Sequence, residues 1–320
     1  MTNSTNPSQA TRFKIVVAFL AIYLIWGTTF LGIRIAVETI PAFMMAGLRF
    51  FLAGSTLLTI TLAQGGHFPT LRHWRSAAIV GGLMLVSGIG LVSFAEERIP
   101  SGLAALVVAT IPIWMALLQW LAFGGKQPSR QVFTGLGLGF IGAILLFAPA
   151  FSTQADSDYL AGIGIVVVGA FSFATGSLYS RRAPLPEDTR ISTASEMLAG
   201  GVLLMVVSLV VGEPSRVDIA LISLRSILAL VYLTVFGSII GYTAYLWLLK
   251  TVEPAKVSTN FYVNPVIAVF MGWLVVGEKV TVTMIVATAI ILLGVAVINT
   301  KLPRIGQRSI KMNMERLSPE

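Results

Sequence analysis

The chain has 320 residues, of which 56% are hydrophobic and only 11% are charged, and its formal net charge is +8. A soluble domain carries about 25% charged residues, so this composition excludes a soluble enzyme, a coiled coil and a disordered chain and predicts a polytopic membrane protein. The absence of cysteine excludes disulfides and thiolate-bound metals.

A helix that crosses a bilayer needs about 20 mostly apolar residues. Ten segments of the chain meet this requirement, and runs such as Ile163 to Ala170 lack the alternating polarity of a membrane barrel. We therefore predict an all-α membrane protein with ten transmembrane helices, at 13–35, 41–62, 74–95, 101–122, 130–150, 159–180, 191–212, 226–249, 255–276 and 281–300.

The predicted helices form two groups of five, residues 13–150 and 159–300, flanked by tails at 1–12 and 301–320. The first helix runs on into further spans and lacks a small-residue cleavage site, so we interpret it as an anchor and not as a signal peptide. Lys and Arg accumulate in cytoplasmic loops. With the N-terminus inside, 16 of these residues lie on the cytoplasmic side and five lie outside, which predicts that both termini are cytoplasmic.

The two groups of helices resemble each other at two nearly constant offsets. At 153 residues the fourth and fifth spans match the ninth and tenth, as in Pro112 with Pro265, and at 147 residues the first and second match the sixth and seventh, as in Gly54 with Gly201. Because five helices are an odd number, the second unit must enter the membrane from the opposite side. Inverted repeats recur in secondary transporters, where they build two gates around a central site; a duplication retained only for packing is the alternative.

Four ordered segments carry the most distinctive motifs: LIWGTTFLGIRIA (24–36), MMAGLRFFLAG (44–54), IPSGLAALVVATIP (99–112) and EPAKVSTNFYVNPVIAVFMGWLVVGE (253–278). They resemble the EamA family of the drug/metabolite transporter superfamily, over about residues 13–300. The segments EMLAGG (196–201) and FGSIIGYTAY (236–245) are most similar to its YedA-like inner-membrane permeases. The resemblance implies a ten-helix carrier in the inner (plasma) membrane that exports amino acids, other small metabolites or toxic compounds. It also implies a central cavity lined by the first, third, fourth, sixth, eighth and ninth spans.

Two ionisable residues, Arg49 and Glu196, lie well inside predicted spans and are 147 residues apart. Charged groups in a membrane are costly and suggest function. Three interpretations remain open: a mutual ion pair near the membrane centre, contacts with substrate or a coupled proton, or separate structural partners. Glu196 is the one carboxylate deep in a predicted span that could carry a proton.

Pro112 and Pro265 each fall near the middle of a predicted span. Proline removes a backbone donor and clashes with the carbonyl four residues earlier, here that of Val108 or Phe261. Transporters place substrate contacts and bending points where helices break at the midplane. We therefore predict hinges at both prolines, with passive kinks as the alternative.

Polar and aromatic residues in the predicted cavity helices are candidates for substrate binding. Asn260 and Asn264 share one helix face and either bond to a neighbouring helix or face water. The other candidates could equally serve packing; they are Trp26, Trp114, Phe173, Ser238, Tyr242, Tyr245 and Tyr262, with Gly237 and Gly241 as a close-packing pair beside the stripe on the eighth span.

The chain lacks the GxxxxGK[ST] loop that binds ATP phosphates, so a gradient is expected to drive transport. The favoured hypothesis is a secondary active exporter of small organic metabolites that works by alternating access, with a coupled proton as an option and without cofactor, metal or nucleic-acid partner. A passive channel and an intramembrane lipid-modifying enzyme are the alternatives. The acidic pairs Glu96–Glu97 and Glu187–Asp188 have no adjacent histidine, which disfavours the enzyme, and we expect the first pair to lie in a solvated loop.

Overall fold

The computed structural model describes residues 9–99, 101–147, 157–271 and 281–299. Within these ranges the chain forms helices and no strand. The helices are α1 (Gln9–Ala36), α2 (Ala42–Ala63), α3 (Leu71–Ala95), α4 (Ser101–Val108 and Ile111–Leu121), α5 (Arg130–Phe147), α6 (Ser157–Ser180), α7 (Thr189–Val210), α8 (Leu224–Thr251), α9 (Pro254–Val257 and Asn260–Met271) and α10 (Val282–Asn299).

The predicted all-α membrane fold is confirmed for this part of the chain. Seven of its helices, α1–α4 and α6–α8, are long and apolar enough to cross a membrane, and α5 and α10 contain shorter apolar segments. The observed boundaries lie within four residues of the predicted ones wherever both ends are described. The ends of the predicted fifth and ninth spans, and nearly all of both tails, lie outside the described residues.

Four helices are irregular near their middle. Wide π-helical turns occupy Gly82–Gly90 of α3 and Leu233–Tyr242 of α8. The fourth helix ends at Val108 and restarts at Ile111, so Pro112 lies in the first turn of a new helix, where its missing N–H costs little. A single kinked fourth helix was therefore the wrong expectation, whereas Pro265 does lie inside a continuous helical segment.

Helices α2 and α7 pack closely in antiparallel directions because glycines face the partner backbone. A Cβ atom on Gly54 would lie 2.6 Å from the backbone nitrogen of Leu198, and one on Gly201 would lie 2.5 Å from the backbone nitrogen of Phe51. Small residues permit this approach of helix backbones in a membrane. Helices α5 and α10 meet in a similar way through Gly139 and Gly294.

Loops of the chain gather at two ends of the bundle. Loop residues 37–41, 97–98 and 211–221 line a common polar groove, and we call this the Glu96 end. The opposite end, which we call the Arg190 end, brings Arg190 against Gln64 at 2.7 Å.

The start of α2 at the Glu96 end is capped from a distant segment. The first residues of a helix leave backbone N–H groups without partners inside the helix. Glu213, on a 3-10 turn between α7 and α8, accepts hydrogen bonds from the N–H groups of Phe43 and Met44 at 3.0 and 2.8 Å. A carboxylate also opposes the positive end of the helix dipole, so this contact fixes α2 to the loop after α7.

Candidate functional site

A cavity lies among six helices and reaches toward the Glu96 end. It encloses about 80 Å³, which is small beside the ~300–1,000 Å³ of typical ligand pockets. Its walls are mostly apolar and come from α1, α2, α3, α4, α6 and α9: Trp26, Thr29, Phe30, Ile33, Arg49, Gly88, Ile89, Val92, Val108, Ile111, Gly169, Ala170, Phe173, Phe261 and Asn264. The expected cavity helices are thus present except α8, and α2 contributes Arg49 instead.

Four aromatic rings close the cavity on the side of the Arg190 end. Trp26, Phe173, Tyr245 and Phe261 come from α1, α6, α8 and α9, and every pair of their ring centroids lies within 6.5 Å. Tyr245 packs against the other three rings without lining the cavity, so it lies behind them. We call these residues the four-ring cluster.

The four-ring cluster lies near the middle of the bundle. Trp26 precedes the end of α1 at Ala36 by ten residues, or about 15 Å of helix, which is half the thickness of a ~30 Å hydrocarbon core. The Nε1–H of Trp26 donates to the carbonyl oxygen of Gly237 at 3.1 Å, and the Tyr245 hydroxyl donates to Ser177 at 3.0 Å. These bonds satisfy the polar atoms of two buried rings and fix their orientation.

Arg49 places a buried cation in the cavity wall. Its side chain is 3% exposed, and its Nε donates to the Ser238 hydroxyl at 2.7 Å. The guanidinium also lies 4.8 Å from the ring centroid of Phe50. No carboxylate pairs with it among the described residues, so the predicted ion pair with Glu196 does not form.

Glu196 occupies a separate polar network nearer the Arg190 end. Its two carboxylate oxygens accept hydrogen bonds from Ser192 at 3.1 Å and from Tyr242 at 3.2 Å. The side chain is 1% exposed and does not line the cavity. Of the three interpretations, the arrangement favours separate partners for the two charges, with Arg49 alone facing the cavity.

The two asparagines of α9 are buried and retain unused polar atoms. Within the described part of the chain, the Oδ1 of Asn264 and both amide atoms of Asn260 have no hydrogen-bond partner. Asn264 lines the cavity and Asn260 does not. A buried polar group without a partner is costly, so the amide of Asn264 is available to a ligand or to water.

The structure separates the other candidates from the cavity. Ser238 and Tyr242 bind the two buried charges, and the Tyr262 hydroxyl donates to the carbonyl oxygen of Leu136 at 3.1 Å, between α9 and α5. The ring of Trp114 packs edge-on against Phe171 at 5.4 Å. These four side chains do not line the cavity in this conformation, because each is engaged with a neighbouring helix.

Several lining residues were missed, although the sequence contains a signal for some of them. Thr29, Phe30 and Ile33 follow Trp26 at spacings of three, four and seven residues, which is one helix face. Phe261 lies 153 residues after Val108, so the repeat offset pairs two wall residues. Choosing Tyr262 in place of Phe261 was an error of about 100° around the helix.

The Glu96 end holds a buried acid that the sequence had placed in a solvated loop. Glu96 is fully buried, and neither carboxylate oxygen has a hydrogen-bond partner within the described residues. Burial raises the pKa of Glu96 from 4.5 to about 8, although nearby Arg34 lowers it in part. Arg34 itself donates to the backbone carbonyl oxygen of Glu96 at 2.8 Å. Expecting Glu96 to be solvated was therefore wrong.

Metal binding finds no support in the described part of the chain, where no cluster of three potential ligands occurs. His73 has a local role instead. Its Nδ1 accepts from the backbone N–H of Thr70 at 3.3 Å, while the Thr70 hydroxyl accepts from the N–H of His73. The two residues form a capping box at the start of α3.

Comparison with known proteins gives this helical bundle a family. The EamA-like transporter family model matches residues 13–148 and residues 160–300. The chain belongs to the EamA-like transporter family. Its EamA sequence is 40% identical over 282 residues to the "Uncharacterized inner membrane transporter YedA" of Escherichia coli (strain K12), covering 88% of this chain and 89% of the relative.

More distant relatives of this EamA chain include the "Probable amino-acid metabolite efflux pump" of Escherichia coli (strain K12), which is 24% identical over 86% of this chain and 91% of the relative. A solved crystal structure with 21% sequence identity superposes with a TM-score of 0.73 and covers 89% of this chain and 96% of that one. At that identity the likeness shows a shared fold. The EamA assignment by sequence, together with the apolar helices, identifies a multi-pass membrane transporter.

Proposed function

We propose that this protein is a secondary active transporter that moves a small organic metabolite out of the cell by alternating access. The observation that carries the proposal is the closed cavity itself. It is reached from the Glu96 end, it ends at the four-ring cluster, and its walls come from helices of both sequence halves. A carrier needs such a site between two gates, only one of which opens at a time.

Pairwise contacts between the two halves support an inverted repeat. Gly54 meets Leu198, and Gly201 meets Phe51. Gly54 and Gly201 are 147 residues apart, and so are Phe51 and Leu198. Each contact is therefore the other's counterpart under exchange of the repeats, as a two-fold axis between antiparallel helices requires.

A second pair of contacts points to the same axis at the cavity. A Cβ atom on Gly88 would lie 2.9 Å from the Phe173 ring, and one on Gly241 would lie 2.6 Å from Nε1 of Trp26. Phe173 follows Trp26 by 147 residues, and Gly241 follows Gly88 by 153. The two glycines thus seat equivalent rings, which meet in the four-ring cluster near the proposed axis.

The loop charges orient this arrangement in the membrane. With both termini in the cytoplasm, the Glu96 end faces outward and the Arg190 end faces the cytoplasm. An inner-membrane location agrees with the printed name of the 40% identical relative. Export agrees with the name of the efflux pump, which is 24% identical.

Transport requires the cavity to widen, because about 80 Å³ admits only part of a metabolite-sized ligand. The interruptions in α4 and α9 place bending points in two cavity helices, and Pro112 and Pro265 lie within six residues of them. We propose that bending there parts the four-ring cluster and closes the Glu96 end. A proton carried by Glu196 would supply the driving gradient.

Counterflow in proteoliposomes tests this function. Vesicles loaded with an unlabelled apolar metabolite should accumulate the labelled compound from outside, transiently and saturably, because a carrier exchanges one bound molecule for another. A passive channel would equilibrate label without overshoot. Absence of counterflow for a panel of amphipathic acids, amines and neutral compounds, with and without a pH gradient, would overturn the proposal.

A further inference from the structure

The cavity has a single charged group among its lining residues, the guanidinium of Arg49. Its Nε is held by Ser238 at 2.7 Å. Within the described residues its two terminal nitrogens make no hydrogen bond and face no carboxylate. A buried, unpaired cation is strongly unfavourable, so this arrangement is best explained by a partner that comes from outside the chain.

The surrounding residues keep the end of the guanidinium open to the cavity. Gly237 lies beside it, and a Cβ atom there would lie 2.7 Å from Nη2. The contact with Ser238 fixes the plane of the group from the Nε side, and Phe50 covers one face. The paired N–H groups of Nη1 and Nη2 remain, and their planar fork matches a carboxylate.

We propose that Arg49 binds the carboxylate of the transported substrate, which makes this protein a carrier of apolar organic acids. The inference rests on the proposed function and names the substrate class of the same cavity. The apolar body of the substrate packs against Trp26, Phe173 and Phe261, whose rings line the cavity. The unpartnered Oδ1 of Asn264 accepts a hydrogen bond from a donor group on that body.

The same geometry selects against cations. No lining residue of the cavity is an aspartate or a glutamate, and Glu196 lies outside it with both oxygens bonded. An organic amine would therefore enter beside Arg49 with no opposite charge to offset the repulsion. Specificity would come from this unpaired like charge as much as from the attractive contact.

Ligands that differ only in charge test the proposal on the unaltered protein. Competition for counterflow should be measured with 3-phenylpropionate, its methyl ester and phenethylamine. The acid should compete at least about tenfold more strongly than the ester, because a hydrogen-bonded charge pair contributes more than the ~1.4 kcal/mol that corresponds to a factor of ten. Equal competition by the ester, stronger competition by the amine, or no effect of the acid would overturn the inference.

Variants of the protein provide the second arm. Arg49→Gln keeps a donor for Ser238 but loses the charge, and it should abolish the preference for acid over ester. Arg49→Lys keeps the charge without the fork and should retain part of it. The matched control is Arg225→Gln, an exposed arginine paired with Glu38, which should leave the preference unchanged.

The outcomes separate this inference from the proposed function. If an ester or amine shows saturable counterflow that Arg49→Gln does not alter, the protein is a carrier but Arg49 does not select its substrate. If Arg49→Gln fails to fold, the series of ligands on the unaltered protein still decides. If no compound shows counterflow, the proposed function itself is overturned.

Discussion

Ser238 binds Arg49 and Tyr242 binds Glu196, so α8 holds both buried charges through hydroxyl groups four residues apart. The two bonds lie within the π-helical segment Leu233–Tyr242. A wide turn of this kind often marks a functional site. Movement of this segment would therefore act on the cavity wall and on the Glu196 network together.

Replacing Glu196 distinguishes a structural carboxylate from a proton carrier. Glu196→Gln retains polar atoms for Ser192 and Tyr242, so its thermal stability in detergent should lie close to that of the unaltered protein. Glu196→Ala leaves both hydroxyls without this partner and should cost at least about 2 kcal/mol. If Glu196 carries the proton, transport by Glu196→Gln should no longer respond to an imposed pH gradient. An unchanged response would exclude that role.

The glycines between α2 and α7 should be sensitive to a single added methyl group. In Gly54→Ala and Gly201→Ala the new Cβ atom would lie 2.6 and 2.5 Å from backbone nitrogen atoms, which cannot move aside as a flexible side chain can. Each variant should lose about 1–3 kcal/mol of stability, seen as a lower unfolding temperature in detergent.

Gly137→Ala is the matched control for these glycine variants. Gly137 also lies within a helix, α5, but a Cβ atom there meets nothing within 4 Å. Alanine has the higher helix propensity, so this variant should be at least as stable as the unaltered protein. Equal unfolding temperatures for all three variants would contradict the close approach of α2 and α7.

Glu96 should make stability depend on pH. In the folded protein burial raises its pKa to about 8, against 4.5 for the ordinary group. Its favourable contribution to folding is therefore present below pH 4.5 and is lost as the pH rises toward 8, at up to about 1.4 kcal/mol per pH unit. Glu96→Gln cannot ionise, so its stability relative to the unaltered protein should increase between pH 5 and pH 8.

Unfolding temperatures measured across that pH range check this prediction. The control is Glu187→Gln, which removes an exposed carboxylate at the Arg190 end. The control should show no such trend. A constant difference between Glu96→Gln and the unaltered protein from pH 5 to pH 8 would show that Glu96 is solvated after all.

The sequence predicted most of the fold because helix length and apolar composition are local properties. It also identified Trp26, Phe173 and Asn264 as cavity residues, since midplane position and helical spacing can be counted along the chain. The rotation of a helix cannot be counted in this way when its turns are irregular. The break before Asn260 in α9 turned Phe261 to the cavity and Tyr262 toward α5.

The partners of the buried charges were beyond prediction for a different reason. Arg49 and Glu196 occupy equivalent positions in the two repeats, which made an ion pair plausible. Each bonds instead to a hydroxyl of α8, and this choice depends on which helices are neighbours. Similarly, Glu96 follows the end of an apolar span and resembles a solvated residue, but α3 ends inside the packed bundle.

Removing the ring of Tyr245 should open the closed side of the cavity. Tyr245 is fully buried and packs against the three rings that line the cavity, at centroid distances of 5.0, 5.7 and 6.2 Å. In Tyr245→Ala the four-ring cluster loses its backing, so substrate should leak from loaded vesicles without external substrate to exchange. Tyr245→Phe keeps the ring and loses only the bond to Ser177, so it should remain tight. The matched control is Phe236→Ala, which truncates an exposed ring on the same helix. If Tyr245→Ala exchanges substrate at the normal rate and does not leak, the four-ring cluster is not the closed gate.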